Sequence, residues 1–290
     1  MTRLTPQDVA PIPSELGVLE ERVAASTGIG LLELACEAME VDPDHYRKAA
    51  AGMHAMVIPM TAGRGVIRGF SEAVRTVVEH LGLKGSVSEH PDARGLEEAF
   101  RRRAHLLLFA DDHCFVCVNT RTGGVVENSE ATGRIFARAL ARMKTQTDRE
   151  SGKEARRCLV LGGGPVGESA ARALLEWGFV VGIHDVNEER LEAVWGRLNR
   201  WFPGAVAKVS SLDRAAARYP AILDATPAAG ILSERNLAPG VVVSAPGVPP
   251  GVTAGARRML GRRFYHDALP SGVAAMVVGA VASVLGGLRP

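Results

Sequence analysis

The stretch that most narrows the fold runs from Cys158 to Asn187, CLVLGGGPVGESAARALLEWGFVVGIHDVN. Apolar residues lead straight into Gly162-x-Gly164-x-x-Gly167, a helical pattern follows, and a second apolar run ends at Asp185. Each glycine meets a separate need: Gly162 a tight turn, Gly164 close approach of backbone to a pyrophosphate, Gly167 close helix–strand packing. A helix opening at such a loop offers free N–H groups and partial positive charge to phosphate. The glycine pattern alone would suit an ordinary turn. Strand, loop, helix, strand and terminal acid in order make it a dinucleotide fingerprint.

Pro165 and Val166 complete that loop as cofactor-binding candidates. Asp185 stands 18 residues after Gly167, where a carboxylate accepts from ribose hydroxyls and repels a 2′-phosphate. Val186-Asn187-Glu188 follow, without an arginine, so NAD is the expected cofactor rather than NADP. Further on, AILDATP and VVVSAPG read as strands whose ends place Ala225, Thr226, Pro227, Pro246 and Gly247 along the cofactor crevice.

The first half has a different grammar. MVIPM and HLLLFADD read as strands, VIRGFSEAVRTVVEHLG and GLEEAFRRRA as helices, and CFVCVNTRTGGVVEN as a hairpin turning at Gly123-Gly124. The expected fold class is therefore α/β, with a C-terminal Rossmann-type doubly wound domain and a smaller, helix-rich N-terminal α/β domain. The expected boundaries are 1–147 for a substrate-binding domain and 148–290 for an NAD-binding domain. The polar stretch TDRESGKEARR is the expected joint.

Composition excludes several classes. With 290 residues and a net charge of +2, nothing draws the chain toward nucleic acid or an acidic membrane. Four scattered cysteines suit a reducing cytoplasm, and Cys114-x-x-Cys117 lacks the second pair a zinc site needs, so no metal is expected. The N-terminus has no secretory pattern. Residues 268–288 carry no charge, but their Gly, Ala and Ser content points to a packed interior helix rather than a membrane span.

LLLFADDHCFVC poses a question, because two carboxylates follow an apolar strand at once. An unpartnered buried polar group costs on the order of 2–7 kcal/mol, so Asp111 and Asp112 need a partner or water.

The stretches LTPQDV, IPMTAGRGVIRGFSEAV, ADDHCF, NSEATG, LVLGGGPVG, DATPAAG, SAPGVP and LPSGVAAM run in one order along nearly the whole chain. In them the chain resembles the dehydrogenases that complete pyrrolysine biosynthesis. The resemblance implies NAD-dependent oxidation of the carbon bearing the terminal amine of 3-methylornithyl-N6-lysine. Loss of ammonia then leaves a semialdehyde that cyclises. The resemblance implies a small-molecule site at Leu4, Thr61, Ala62, Arg64, Gly65, Asp111 and Asn128, with Asp111 as the catalytic-site ligand of a substrate ammonium and Asp112 capping the next turn or facing solvent. A homodimer is the expected assembly. One departure stands out: the turn reads Thr61-Ala62-Gly63-Arg64-Gly65 where the family has threonine-serine-glycine-asparagine-glycine. Two alternatives stay open, a shikimate-type or amino-acid dehydrogenase and an NAD-binding regulator without chemistry.

Overall fold

The computed structural model describes residues 4–152 and 156–283. Helices α1 (Pro6–Val9), α2 (Ile12–Thr27), α3 (Leu31–Ala38) and α4 (Pro43–Ala50) open the chain. The start of α1 is built as the sequence suggests, with Pro6 in the first turn and the Thr5 amide donating to Asp8 at 2.7 Å. Then come β1 (His54–Ile58), α5 (Phe70–His80), β2 (Lys84–Val87), α6 (Asp92–Arg101), β3 (Leu106–Ala110), β4 (Phe115–Asn119) and β5 (Val125–Glu127). They form one sheet in the order β2-β1-β3-β4-β5, parallel through β1, β2 and β3. β4 and β5 pair antiparallel, with Ala110 opposite Phe115 and Val116 opposite Glu127. Parallel strands put all three of their C-terminal loops on one edge of the sheet.

The long helix α7 (Asn128–Ser151) carries the chain to a second sheet. This sheet holds β6 (Arg157–Leu161), β7 (Val180–His184), β8 (Val206–Lys208), β9 (Ala221–Asp224), β10 (Val242–Ser244) and β11 (Phe264–Tyr265). Helices α8 (Pro165–Glu176), α9 (Glu188–Trp201), α10 (Leu212–Ala216) and α11 (Ala254–Leu260) connect them, and α12 (Pro270–Ala282) ends the described chain. All strands are parallel, in the order β11-β10-β9-β6-β7-β8. That is the doubly wound dinucleotide-binding order, with its switch point between β6 and β9. The edge strands β8 and β11, three and two residues long, were too short to stand out in the sequence.

Two features depart from the sequence reading. Residues 147–151 of the supposed joint are the end of α7, which spans the 147/148 boundary; residues 153–155 lie outside the described residues. And α12, counted with the second half, packs against α7, α3, α5 and β4 in the first. Every one of its 13 residues is buried. Glycines bring it close: a Cβ on Gly279 would lie 2.7 Å from Met39, and one on Gly272 would lie 2.5 Å from the Thr132 hydroxyl. At ~1.5 Å per residue α12 is about 20 Å long. No helix of the described residues is long and apolar enough to cross a membrane.

The two halves share α7. Arg134, Arg138 and Arg142, one helical turn apart, donate to the carbonyls of Ala38, Glu37 and Thr27 at 2.9, 3.3 and 2.7 Å. Those carbonyls belong to the ends of α2 and α3, where helices have no partners of their own. Arg134 also pairs with Glu176 of α8 at 3.0 Å. Next to Arg134 on α7, Gly133 lets α8 approach; a Cβ there would stand 2.6 Å from the Val166 carbonyl.

Candidate active site

The glycine loop has the geometry its spacing implies. Gly162 adopts φ 90°, and its amide donates to the His184 carbonyl at 2.8 Å. A Cβ on Gly167 would fall 1.9 Å from the Gly162 carbonyl, so α8 can lie this close to β6 only without a side chain there. Gly164 differs: it caps α8 with φ −74°, and a Cβ on it would meet nothing within 4 Å. Pro165 and Val166 occupy the first turn, and no side chain caps it. Space and unclaimed donors therefore coincide where a pyrophosphate would lie, and the residues fit a dinucleotide.

Asp185 is buried beside this loop. Its Oδ2 accepts from the Gly163 amide at 2.7 Å and its Oδ1 from the Asn187 amide at 2.8 Å. The structure adds Arg190, whose guanidinium stands 3.5 Å from Asp185. Its signal in the sequence is weak, because the three residues after Asp185 hold no arginine and a single arginine on a helix reads as solvated. One turn into α9 was the place to look.

At the switch point a Cβ on Gly162 would lie 2.9 Å from the Ala225 carbonyl, which joins the ends of β6 and β9. Buried Asp224 binds the Thr226 hydroxyl at 2.7 Å and the Gly251 amide at 2.8 Å. Burial pushes its carboxyl above the usual range, against the pull of these donors. Gly247 packs on the Thr226 carbonyl, 2.1 Å from where its Cβ would be. Ala225, Thr226, Pro227, Pro246 and Gly247 are thus gathered at one edge.

On the first sheet, the loops after β1, β2 and β3 form a second rim. The Asp111 amide donates to the Cys114 carbonyl at 3.0 Å, and Asp111 Oδ1 accepts from the His113 and Cys114 amides at 2.7 and 2.9 Å. Those amides, Cys114 first, hold the Asp111 carboxyl below its ordinary range. Asp112 reaches across to the loop after β1, where its Oδ2 accepts from the Arg64 amide at 2.8 Å. A Cβ on Gly63 would fall 2.2 Å from the same oxygen, so the Asp112 carboxylate fills the space glycine leaves. The two carboxylates that follow the apolar strand are both exposed, and neither is a buried charge. One expectation is corrected: the turn is capped by Asp111 itself, whereas Asp112, exposed as expected, ties down the neighbouring loop. An aspartate accepting two residues ahead is a known turn device, a signal the sequence did contain.

Thr61, Ala62, Arg64, Gly65 and Asp111 thus share one rim. Gly65, at φ 74°, closes the turn with its amide on the Ala62 carbonyl at 3.3 Å. Leu4 and Asn128 are held by other contacts. Leu4 packs on the hydrophobic core ahead of α1. Asn128, at the start of α7, accepts from the Thr132 hydroxyl at 3.3 Å beside Gly272 of α12. His54 is paired with Ser86 at the first residue of β1, and His266 Nδ1 with the Ala245 carbonyl at 2.7 Å. Cys114 is exposed and Cys117 buried; among the described residues no His, Cys, Asp and Glu cluster could hold a metal.

Two α/β layers, each with its strand-end loops on one edge and a glycine loop at the switch point, define the fold of the shikimate and quinate dehydrogenases. The chain aligns with Corynebacterium glutamicum quinate dehydrogenase in complex with NAD at 17% identity and TM-score 0.50, covering 82% of this chain and 95% of that one. A shikimate dehydrogenase in complex with NADP+ aligns at 15% identity and TM-score 0.51, over 83% and 97%. Sequence places the chain more narrowly. Residues 9–126 match the N-terminal domain of the pyrrolysine biosynthesis protein PylD. It is 29% identical to the pyrrolysine synthase of Methanosarcina acetivorans over 277 residues, 96% of this chain and 98% of that protein. The pyrrolysine synthase of Methanosarcina barkeri is 27% identical, over 96% and 97%.

Proposed function

We propose that this protein catalyses the last step of pyrrolysine biosynthesis, the NAD-dependent oxidation of 3-methylornithyl-N6-lysine at the carbon bearing its terminal amine. One observation carries the reading: the similarity to pyrrolysine synthases spans both layers, and the family match over residues 9–126 takes in the first-sheet rim. The first layer, with α12, would hold the substrate and the second the dinucleotide.

Bound nicotinamide would supply the hydride acceptor. The first-turn amides of α8 would hold the pyrophosphate, and Asp185 the adenosine ribose. Ala225 to Pro227 and Pro246–Gly247 would bound the path toward the reactive ring. Asp111 would pair with a substrate ammonium through its exposed carboxylate. A carboxylate held at low pKa by amides is a good cation ligand and a weak base, so the proton lost before hydride transfer would go to water. Loss of hydride leaves a substrate imine; water adds, ammonia leaves, and the aldehyde condenses with the substrate's α-amine, releasing water.

The shikimate-type alternative needs a lysine at this edge. Lys84 opens β2 at the opposite end of the strand, Lys48 lies on α4, and Lys144 is buried on α7 with Asp148. Incubation with 3-methylornithyl-N6-lysine and NAD, followed by absorbance of the reduced cofactor and mass spectrometry of the cyclic product, tests the reading. Reduction with shikimate but not with the amine would overturn it; binding of NAD without turnover of either would favour a regulator.

Two further results are expected. NAD should support turnover on the order of tenfold better than NADP or more, and Asp185→Ala should narrow that gap by removing ribose acceptance and repulsion together. Parallel titration with both dinucleotides checks this, and a wild-type preference for NADP would refute it. Arg64→Asn should change the substrate KM and leave the NAD affinity where it is, because Arg64 stands on the first-sheet rim; an altered NAD affinity would place that loop in the wrong half of the site.

A further inference from the structure

We propose that Asp92 is the positioning residue of the substrate rim: its carboxylate clamps the loop after β1 and so sets where Thr61 and Arg64 face the crevice. The inference rests on the proposed role of that loop in substrate binding.

Asp92 is the first residue of α6, yet its side chain does not cap that helix. Both carboxylate oxygens turn to Thr61 instead. Oδ1 accepts from the Thr61 amide at 2.8 Å, and Oδ2 accepts from the Thr61 hydroxyl. The Asp92 amide in turn donates to the Pro59 carbonyl at 3.0 Å. Three hydrogen bonds thus tie one residue to Pro59 and Thr61, the first and third residues beyond β1. The Thr61 hydroxyl, then its amide, hold the Asp92 carboxyl below the usual range, so the clamp is ionised at neutral pH.

The backbone supports the same conclusion. Asp92 has φ 54°, a left-handed conformation that glycine adopts without strain and most residues avoid. If the turn alone mattered, glycine would serve better; an aspartate there keeps a strained backbone for the sake of its side chain. Gly95, one turn on, completes the fit. A Cβ at Gly95 would lie 2.4 Å from the His90 carbonyl and 2.6 Å from Ile58, so its absence lets α6 settle against the end of β1. The far end of the loop is held separately, by Asp112 on the Arg64 amide. Losing Asp92 therefore frees one end of the loop only.

Asp92→Gly and Asp92→Asn in the full chain separate the clamp from the backbone. Glycine deletes the carboxylate and suits φ 54°, so the turn itself is spared. Asparagine keeps an acceptor for the Thr61 amide and can donate to its hydroxyl. In Asp92→Gly, amide hydrogen exchange at residues 60–64 should speed up by about tenfold or more. KM for the amine substrate should rise at least about fivefold, while kcat and NAD affinity change by less than about twofold. Asp92→Asn should return exchange and KM to near wild type. Wild-type KM in Asp92→Gly, with the amine turned over normally, overturns the inference, as does failure of asparagine to rescue. Should the wild type not turn over the amine, the proposed activity fails, and exchange still decides the clamp: unaltered exchange in Asp92→Gly refutes it, and faster exchange supports it.

Discussion

Gly164→Val is expected to abolish dinucleotide binding while leaving the fold in place. Gly164 has a φ that any L-residue adopts, and its missing Cβ would point into open space, so the branch point of a valine meets no protein atom. That open space is where the backbone would approach a pyrophosphate. An NAD dissociation constant raised about a hundredfold or more is expected, equivalent to ~2.7 kcal/mol. The melting temperature without cofactor should stay within about 2 °C, the shift a loss of under ~1 kcal/mol produces in a chain of this size. Gly167→Ala makes the contrast. Its Cβ would sit 1.9 Å from the Gly162 carbonyl, so α8 must back away from β6. Overpacking of this kind costs on the order of 1–3 kcal/mol, enough to lower the melting temperature clearly. Normal NAD binding by Gly164→Val would remove the pyrophosphate from this loop.

What could be read in advance follows from how local the determinants are. The segment from β6 to Asp185 is contiguous, and each glycine acts on atoms a few residues away, so spacing carried the geometry. α12 shows the opposite case. It is apolar on every side, so no stripe tells which layer it joins, and Gly272 and Gly279 acquire meaning only against Thr132 and Met39. Asp92 was hidden for a related reason: its partner, Thr61, lies 31 residues away and is brought to it by the fold. The polar run 147–151 looked like a joint because charge marks exposure, and an exposed helix end is as polar as a linker. Asp111 and Asp112 stand in a strand-end loop as their sequence suggests, but which of the two caps the turn was not legible there. Adjacent carboxylates look alike in sequence, and turn geometry alone separates one that folds back on its own amides from one that reaches a neighbour.

That separation shapes the result expected at Asp111. Asp111→Asn retains an oxygen for the His113 and Cys114 amides, so the turn persists and the charge alone is lost. If Asp111 pairs with a substrate ammonium, catalytic efficiency should fall by about tenfold or more, with NAD affinity unchanged. A larger loss would need a water-free pair, and Asp111 is exposed, where solvent screens a charge. The pH dependence has a definite sign. A carboxyl depressed by its amides is ionised above its ordinary range, and its contribution disappears only as pH falls through the lowered value. Activity near neutrality should therefore show no titration from Asp111 in the wild type. Asp112→Asn keeps an acceptor for the Arg64 amide and should cost far less, whereas Asp112→Ala empties the space at Gly63 and should raise KM through the loop. Kinetics of the three variants against wild type decide the matter. Equal losses in Asp111→Asn and Asp112→Asn would mean that the pair acts as a diffuse negative patch. Full activity in Asp111→Asn would leave Asp111 as a turn-forming residue, with the ammonium bound elsewhere on the rim.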